Sequence, residues 1–256
     1  MATKININAD MAEGYGAYDI GDDLTLLGLV RSANIACGMH GGDPTVMHRV
    51  VSEAKVRGVS IGAHPGFNDL WGFGRRQIQM RASDLEHLVS YQIGALLGIA
   101  TAGGYRVTHV KAHGALNNMA AVELDYSLAI GRAVRAVDRD LIFLVLSGSQ
   151  TETAAKQLDL PFAREAFVDR TYEDDGNLTS RRIEGSVIRD PRMAADRVVD
   201  MVGSQQVTSR QGNRIDIPFE SLCVHGDEPT SVAVATAARS ALEDARVEIV
   251  TLPEML

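Results

Sequence analysis

Cysteine is scarce in this sequence: two residues, Cys37 and Cys223, stand among 256, each within an apolar run. Two such thiols exclude a disulfide framework and suit a reducing compartment. No apolar stretch approaches the roughly 20 residues that span a bilayer, and the opening MATKININAD has no hydrophobic leader region. A cytoplasmic location with no membrane partner is therefore expected. Positive charge is in the minority, with 25 Lys and Arg against 33 Asp and Glu and a formal net charge of −8. That balance repels nucleic acids and anionic membranes at long range, so neither is expected as a partner. A local pair such as Arg75-Arg76 can still hold a small anion. Hydrophobic residues at 45% and charged residues at 23% are globular proportions that exclude disorder.

Several catalytic signatures are missing as well. There is no G-x-x-x-x-G-K-[ST] loop and no G-x-G-x-x-G opening a helix, so the chain offers no standard nucleotide cradle. A G-x-S-x-G elbow and an H-E-x-x-H pair are also absent, which argues against a serine hydrolase and a helix-borne zinc protease.

What is present is a recurring unit: a short β-like run, a polar glycine-containing loop, then a helical pattern. Seven runs read as strands, at Lys4–Ala9, Ser32–Cys37, Val59–Ala63, Val107–Ala112, Leu141–Leu146, Phe162–Val168 and Ser221–Val224. Asp43-Pro44 and Asp190-Pro191 read as helix starts, an N-cap followed by proline. Val46, Met47, Val50, Val51 and Ala54 then form one apolar stripe that Gly58 ends. Ser83 and Glu86 have capping-box spacing, and 229–245 reads as an alanine-rich helix. Val207–Phe219 looks like a hairpin around Gln211-Gly212-Asn213, and Val247–Leu252 like a terminal strand. Strands alternating with helices imply a parallel sheet with right-handed crossovers, either an open doubly wound sheet or a closed barrel.

The polar residues decide between them. Nearly every strand ends in ionisable or glycine-rich sequence: Asp10 to Glu13, Gly38 to Asp43, His64-Pro65-Gly66, His113-Gly114, Ser147-Gly148-Ser149, Asp169-Arg170 and His225-Gly226-Asp227. An open sheet needs such residues at its switch point alone, whereas a barrel gathers all its strand ends at one mouth. The expected fold is thus one (β/α)7-type parallel barrel over residues 1–256. Alternation sharpens this, because side chains two apart share a face. Asn6, Asn8 and Asp10 fall together, as do Asn34 and His40, then His109, Lys111 and His113, then Glu165 and Asp169. A polar barrel interior is a functional signal, since buried charges are costly unless paired or used. His48 and His87 lie within helices and are expected to be solvated or packed. Asp43 and Asp190 are better explained as caps, and His109 as a structural group. Scattered Asp and His at the mouth suit a divalent metal, with Asp10, His40, His64 and His113 as candidate ligands, although no spacing fixes the set.

Several blocks resemble the LamB/YcsF family: Asn8-x-Asp10-x-x-Glu13, Ser32 to Gly38 leading to His40 and Asp43-Pro44, Ile61 to Pro65, Gly72 to Arg76, Tyr91 to Leu96, His109 to Leu116, and Cys223-x-His225-Gly226-Asp227. They run in order along nearly the whole chain. Asn6, Ala112 and Asn117 depart from the family's usual aspartate, proline and tyrosine. The resemblance implies the A subunit of a prokaryotic ATP-dependent 5-oxoprolinase, with a barrel similar to the glycoside hydrolase/deacetylase fold. It implies partner subunits B and C, 5-oxo-L-proline as substrate and L-glutamate as product. Since this chain has no nucleotide cradle, ATP is expected to act through the partners, and the barrel to hydrolyse a phosphorylated intermediate. Asp10 or Glu13 is then the candidate base, with His40, His64 and His113 orienting water or a metal. Lys111 and Arg75, Arg76 or Arg170 would meet phosphate and carboxylate. Asn8, Asn34, Glu165, Asp169 and His225 complete the expected binding surface. Two rivals stand beside this: a metal-dependent deacetylase or amidohydrolase acting alone, and a scaffold subunit without chemistry.

Overall fold

A computed structural model describes residues 3–256; the first two residues of the segment read above for a leader lie outside them. The chain opens with β1 (Lys4–Met11), α1 (Asp23–Leu26), β2 (Ser32–Ala36), α2 (Pro44–Arg57), β3 (Ser60–His64) and α3 (Ala82–Ala102). It continues through β4 (Val107–Val110), α4 (Gly114–Val122), α5 (Leu124–Val137), β5 (Ile142–Leu146), α6 (Gln150–Gln157) and β6 (Phe162–Phe167). It ends with α7 (Pro191–Ser204), β7 (Gln206–Thr208), β8 (Arg214–Asp216), β9 (Ser221–Val224), α8 (Ser231–Asp244) and β10 (Glu248–Val250). β1 to β6 pair side by side in parallel, β9 follows β6, and β9 pairs again with β1. Seven parallel strands therefore close a barrel, and they are the seven expected. β7 and β8 form the expected hairpin, and β10 runs parallel to Lys4–Asn6 as the terminal strand.

The alternation in β1 explains the closure. Ile5, Ile7, Ala9 and Met11 are buried on the outer face under the helices, while Asn6, Asn8 and Asp10 are buried on the inner one. Each large outer side chain stabilises the packing by about 1.5–3 kcal/mol relative to exposure. The helices supply the matching surface. In α2 the Asp43 carboxylate accepts from the Thr45 and Val46 N–H groups, and Val46, Met47, Val50, Val51 and Ala54 are buried. Asp190 caps α7 in the same way, accepting from Arg192 N. The expected capping box of Ser83 and Glu86 does not form. α3 begins at Ala82, after Arg81, without a side-chain cap. Arg81 instead pairs with Asp84 across the first turn, and Glu86 pairs with Arg132 of α5.

Inside the barrel the two halves differ. Ile142, Leu144, Ala163 and Leu252 form a small apolar cluster near the strand starts. β1 to β4 and β9 instead build a hydrogen-bonded polar column. Asn6 Nδ2 donates to Ser32 Oγ and to the Val250 carbonyl, both at 2.8 Å. Ser221 Oγ donates to Asn6 Oδ1 at 2.6 Å and receives Asn8 Nδ2 at 2.8 Å. Asn34 Nδ2 reaches Asn8 Oδ1 at 2.7 Å and Asp10 Oδ1 at 2.8 Å. His109 Nε2–H donates to Asn34 Oδ1 at 3.0 Å, and its ring fills the space that a Cβ at Gly62 would need. A buried polar chain is tolerated because its members are paired. The departure at Asn6 fits here, since an amide can donate to Ser32 and Val250 where an ionised carboxylate cannot.

Candidate active site

The expected mouth residues meet at the C-terminal strand ends, in two adjoining groups. The first is ionic. Lys111 Nζ lies 3.0 Å from Asp10 Oδ1 and 3.1 Å from Glu165 Oε2, and donates to Cys223 Sγ at 3.0 Å. The Glu165 contact is a charge pair rather than a well-directed hydrogen bond, because Oε2 has no hydrogen-bond partner among the described residues. Burial alone would raise the Asp10 carboxyl, but His64 when its ring is protonated, and the Lys111 ammonium, hold Asp10 well below the usual carboxylate range. Burial likewise opposes the Lys111 charge, and Asp10, Cys223 and Glu165 reverse that, leaving Lys111 well above the ordinary lysine value. Glu165 is raised by burial, offset in part by Lys111.

The second group contains Glu13, His40, His64 and His113. One ligand atom from each lies within 4.8 Å of the others, so the four side chains could hold a metal ion. His64 ends β3, and His113 lies three residues past β4, at the start of α4. Glu13 arrives differently: Ala12, at φ 58°, breaks the alternation of β1 and turns Glu13 over the mouth. Its carboxyl is pushed well above the usual range by burial and by the nearby Asp10 and Asp227 carboxylates. His40 and His113 are driven well below the ordinary imidazole value by burial first, and next by a neighbouring imidazole. Their rings stack, 3.6 Å between centroids and 1° from parallel, and the Phe73 ring meets both edge-on. Gly74, at φ 63°, lets this loop pass directly over them; a Cβ there would sit 2.7 Å from His113 Cδ2.

The remaining candidates divide. Asp169 binds His225, Nδ1 lying 2.9 Å from Oδ2, and His225 stacks on Phe167 beside the site. Burial would raise the Asp169 carboxyl, but His225 draws it down. Asn8 and Asn34 belong to the column beneath Asp10 and have their amide groups engaged there. Arg75 stands at the rim, 2.7 Å from Asp227 and over the Phe73 ring at 5.0 Å. Arg76 is not brought in: its exposed guanidinium pairs with Asp69. Arg170 is spent on the Thr179 and Ser186 carbonyls, at 2.6 and 3.3 Å, and burial draws its pKa down to about 10. His109 is structural, as expected, with burial and then Lys111 pushing it down to about 3. His48 and His87 are solvent-exposed.

Sequence reasoning passed over Cys223, Ser221 and Asp227 as working parts. Their signal was available, because Ser221 and Cys223 share strand parity with His225. Both cysteines are free and buried, yet Cys223 faces Lys111 rather than an apolar layer. A cavity of about 630 Å³ reaches Glu165 and Phe167 from the β5–β6 side, walled partly by Ser147, Tyr172 and Asn177. Among the described residues no helix is long and apolar enough to cross a membrane.

Comparison with known proteins bears on this arrangement. The A subunit of 5-oxoprolinase from Rhodopseudomonas palustris (strain BisB5) is 50% identical over 248 residues, covering 96% of this chain and 98% of its own. The crystal structure of a lactam utilization protein from Thermus thermophilus superposes with a TM-score of 0.93 at 42% identity, covering 98% and 100% of the two chains. A solved T48 deacetylase, at 15% identity and TM-score 0.51 over 99% of this chain and 90% of its own, shares the fold alone. The LamB/YcsF family model matches residues 5–256, and the chain belongs to the LamB/YcsF family.

Proposed function

We propose that this chain is the A subunit of an ATP-dependent 5-oxoprolinase, opening the lactam of 5-oxo-L-proline to L-glutamate. The half-identical relative of that name supports the substrate, and the buried Asp10–Lys111 pair at the mouth is the observation that carries the chemistry. A lactam carbonyl is a weak electrophile. Phosphorylation of its oxygen by ATP activates the carbon, and that step falls to partner subunits B and C. In the barrel, water adds to this carbon and gives up a proton. The C–N bond then breaks as the ring nitrogen takes a proton. A second water releases phosphate from the resulting acyl phosphate, leaving glutamate.

Asp10 suits the base role because the buried Lys111 ammonium, 3.0 Å away, favours its ionised form at the mouth. Lys111 supplies positive charge where oxyanion or phosphate charge develops, and Arg75 stands at the entrance for phosphate or carboxylate. Glu13, His40, His64 and His113 would hold a divalent ion, which when bound would lower the pKa of a water and polarise the phosphorylated oxygen. The test is glutamate release from 5-oxoproline and ATP, by the chain alone and with the B and C subunits. Release is expected with the partners together and not with the chain alone. Efficient ring opening without partners, or ATP-independent amide hydrolysis by the chain, would overturn the division of labour.

A further inference from the structure

Two backbone carbonyls fix the protons of the histidine cluster. His64 Nδ1 lies 2.8 Å from the Lys111 carbonyl, and His113 Nε2 lies 2.8 Å from the Phe73 carbonyl. A carbonyl oxygen only accepts, so each of those ring nitrogens carries the hydrogen. In the neutral rings His64 Nε2 and His113 Nδ1 are therefore both lone pairs, and they face each other at 3.0 Å. With Glu13 ionised, the form in which a carboxylate ligates a metal, the surroundings bring more acceptors rather than donors. Glu13 Oε1 stands 3.2 Å from His113 Nδ1 and 3.2 Å from His40 Nε2. Asp10 Oδ2 stands 3.4 Å from His64 Nε2.

A single proton between His64 and His113 answers one of these contacts and creates another problem. It makes an imidazolium of one buried ring in a cluster where His113 already stacks face to face on His40. A dication answers all of them at once. The remote N–H groups of His64 and His113, each donated to a carbonyl, are the outer-shell arrangement that orients histidine ligands on a metal. Three imidazole nitrogens and one carboxylate oxygen suit a borderline d-block ion such as zinc, whereas magnesium prefers an oxygen shell. Asp10 is differently committed, its Oδ1 taken by Asn34 and Lys111.

We infer that Glu13 Oε1, His40 Nε2, His64 Nε2 and His113 Nδ1 form a ligand set for one zinc-class dication, with Asp10 outside it as a neighbour. His40 lacks such an outer-shell partner, its Nδ1 being buried without a hydrogen bond among the described residues, and is the weakest of the four ligands. Any role in turnover rests on the proposed lactam hydrolysis; binding itself does not.

The experiment uses the whole chain, stripped with a chelator and titrated with zinc, cobalt(II) and magnesium without substrate, ATP or partners. One zinc or cobalt per chain is expected, with the intense visible bands of four-coordinate cobalt and a raised melting temperature. Magnesium at equal concentration should give neither. His64→Ala, His113→Gln and Glu13→Gln should each weaken zinc by at least about 10²-fold, judged against outer-shell losses of 10–100-fold. His40→Gln should weaken it less. Asp10→Asn should keep one-to-one binding. Circular dichroism identifies which variants fold, and three independent ligand variants keep the test open if one does not. Absence of stoichiometric zinc and cobalt binding in the parent chain would overturn the inference, as would magnesium binding equally well. Loss of binding in Asp10→Asn as severe as in His64→Ala would overturn the ligand assignment. A chain that binds metal but opens no lactam would sink the proposed function and leave this site standing.

Discussion

Lys111→Met separates what the lysine does for folding from what it does for reaction. Methionine keeps the length of the side chain and removes its charge. Lys111 is buried, with Asp10 at 3.0 Å and Glu165 at 3.1 Å. Removing it leaves two buried carboxyl groups facing each other without a cation, and breaking such a pair costs about 3–5 kcal/mol. At about 2–4 °C per kcal/mol for a chain of this size, melting should fall by about 6–20 °C. Asp10 keeps its bond from Asn34, so the loss is concentrated on Glu165. Adding Glu165→Gln should therefore recover a substantial part of the stability. Turnover with the B and C subunits tells the other half. A lysine that meets developing negative charge predicts a rate lower by about 10²-fold in both variants. If the single variant melts within about 2 °C of the parent, the ionic reading of this site is wrong. If the double variant regains normal turnover, Lys111 acts through the fold alone.

Asn6→Asp, toward the family's usual residue, removes two donors from the column; at least about 2 kcal/mol should be lost at pH 7, read by thermal melting. The buried carboxyl would titrate upward, so the loss should shrink as pH falls toward 5. Gly62→Ala places a Cβ against the His109 ring and should cost about 1–3 kcal/mol in a denaturant titration, with no effect if that ring can move aside.

The strands and the identity of the mouth were readable in the sequence because both depend on local signals. Each strand is a short apolar run closed by glycine or a polar cluster, and side-chain parity sorts the inner from the outer face. Parity picked out Asn6, Asn8, Asp10, Asn34, His109 and Lys111, all of which lie inside the barrel. It failed at Glu13, because Ala12 leaves the β region and the two-residue period stops there. That is why the sequence offered Asp10 as a metal ligand, while the side chains that converge are Glu13 with the three histidines. Arg76 was drawn in by its charge and its motif block, and Arg170 by its charge and its strand-end position, and none of these reports direction. Asp69 and two carbonyls hold them elsewhere. Helices α4 and α5 lack a side-chain cap at their starts, so no punctuation announced them.

The turn at Ala12 has its own support, and that support can be titrated. Ala12 holds φ 58°, a conformation that costs a non-glycine residue about 1–3 kcal/mol unless its surroundings enforce it. Its N–H is taken by Asp23 Oδ2 at 3.2 Å, and Asp23 is buried beneath the loop. Burial, opposed by the Ala12 hydrogen bond, raises the Asp23 carboxyl from 3.8 to about 6. An acid whose folded pKa is raised binds more protons in the native state, so its contribution falls as pH climbs from about 4 to 6 and is flat above. The shift of about 2 pH units corresponds to about 3 kcal/mol at most. Asp23→Asn keeps an oxygen to accept from Ala12 and cannot ionise. Its stability should match the parent's near pH 4 and exceed it by up to about 3 kcal/mol at pH 7, measured by urea unfolding across that range. A stability difference that stays constant from pH 4 to 7 would mean that Asp23 does not titrate where the burial argument puts it. Lower stability of Asp23→Asn at every pH would mean instead that the turn over the mouth depends on the charge itself.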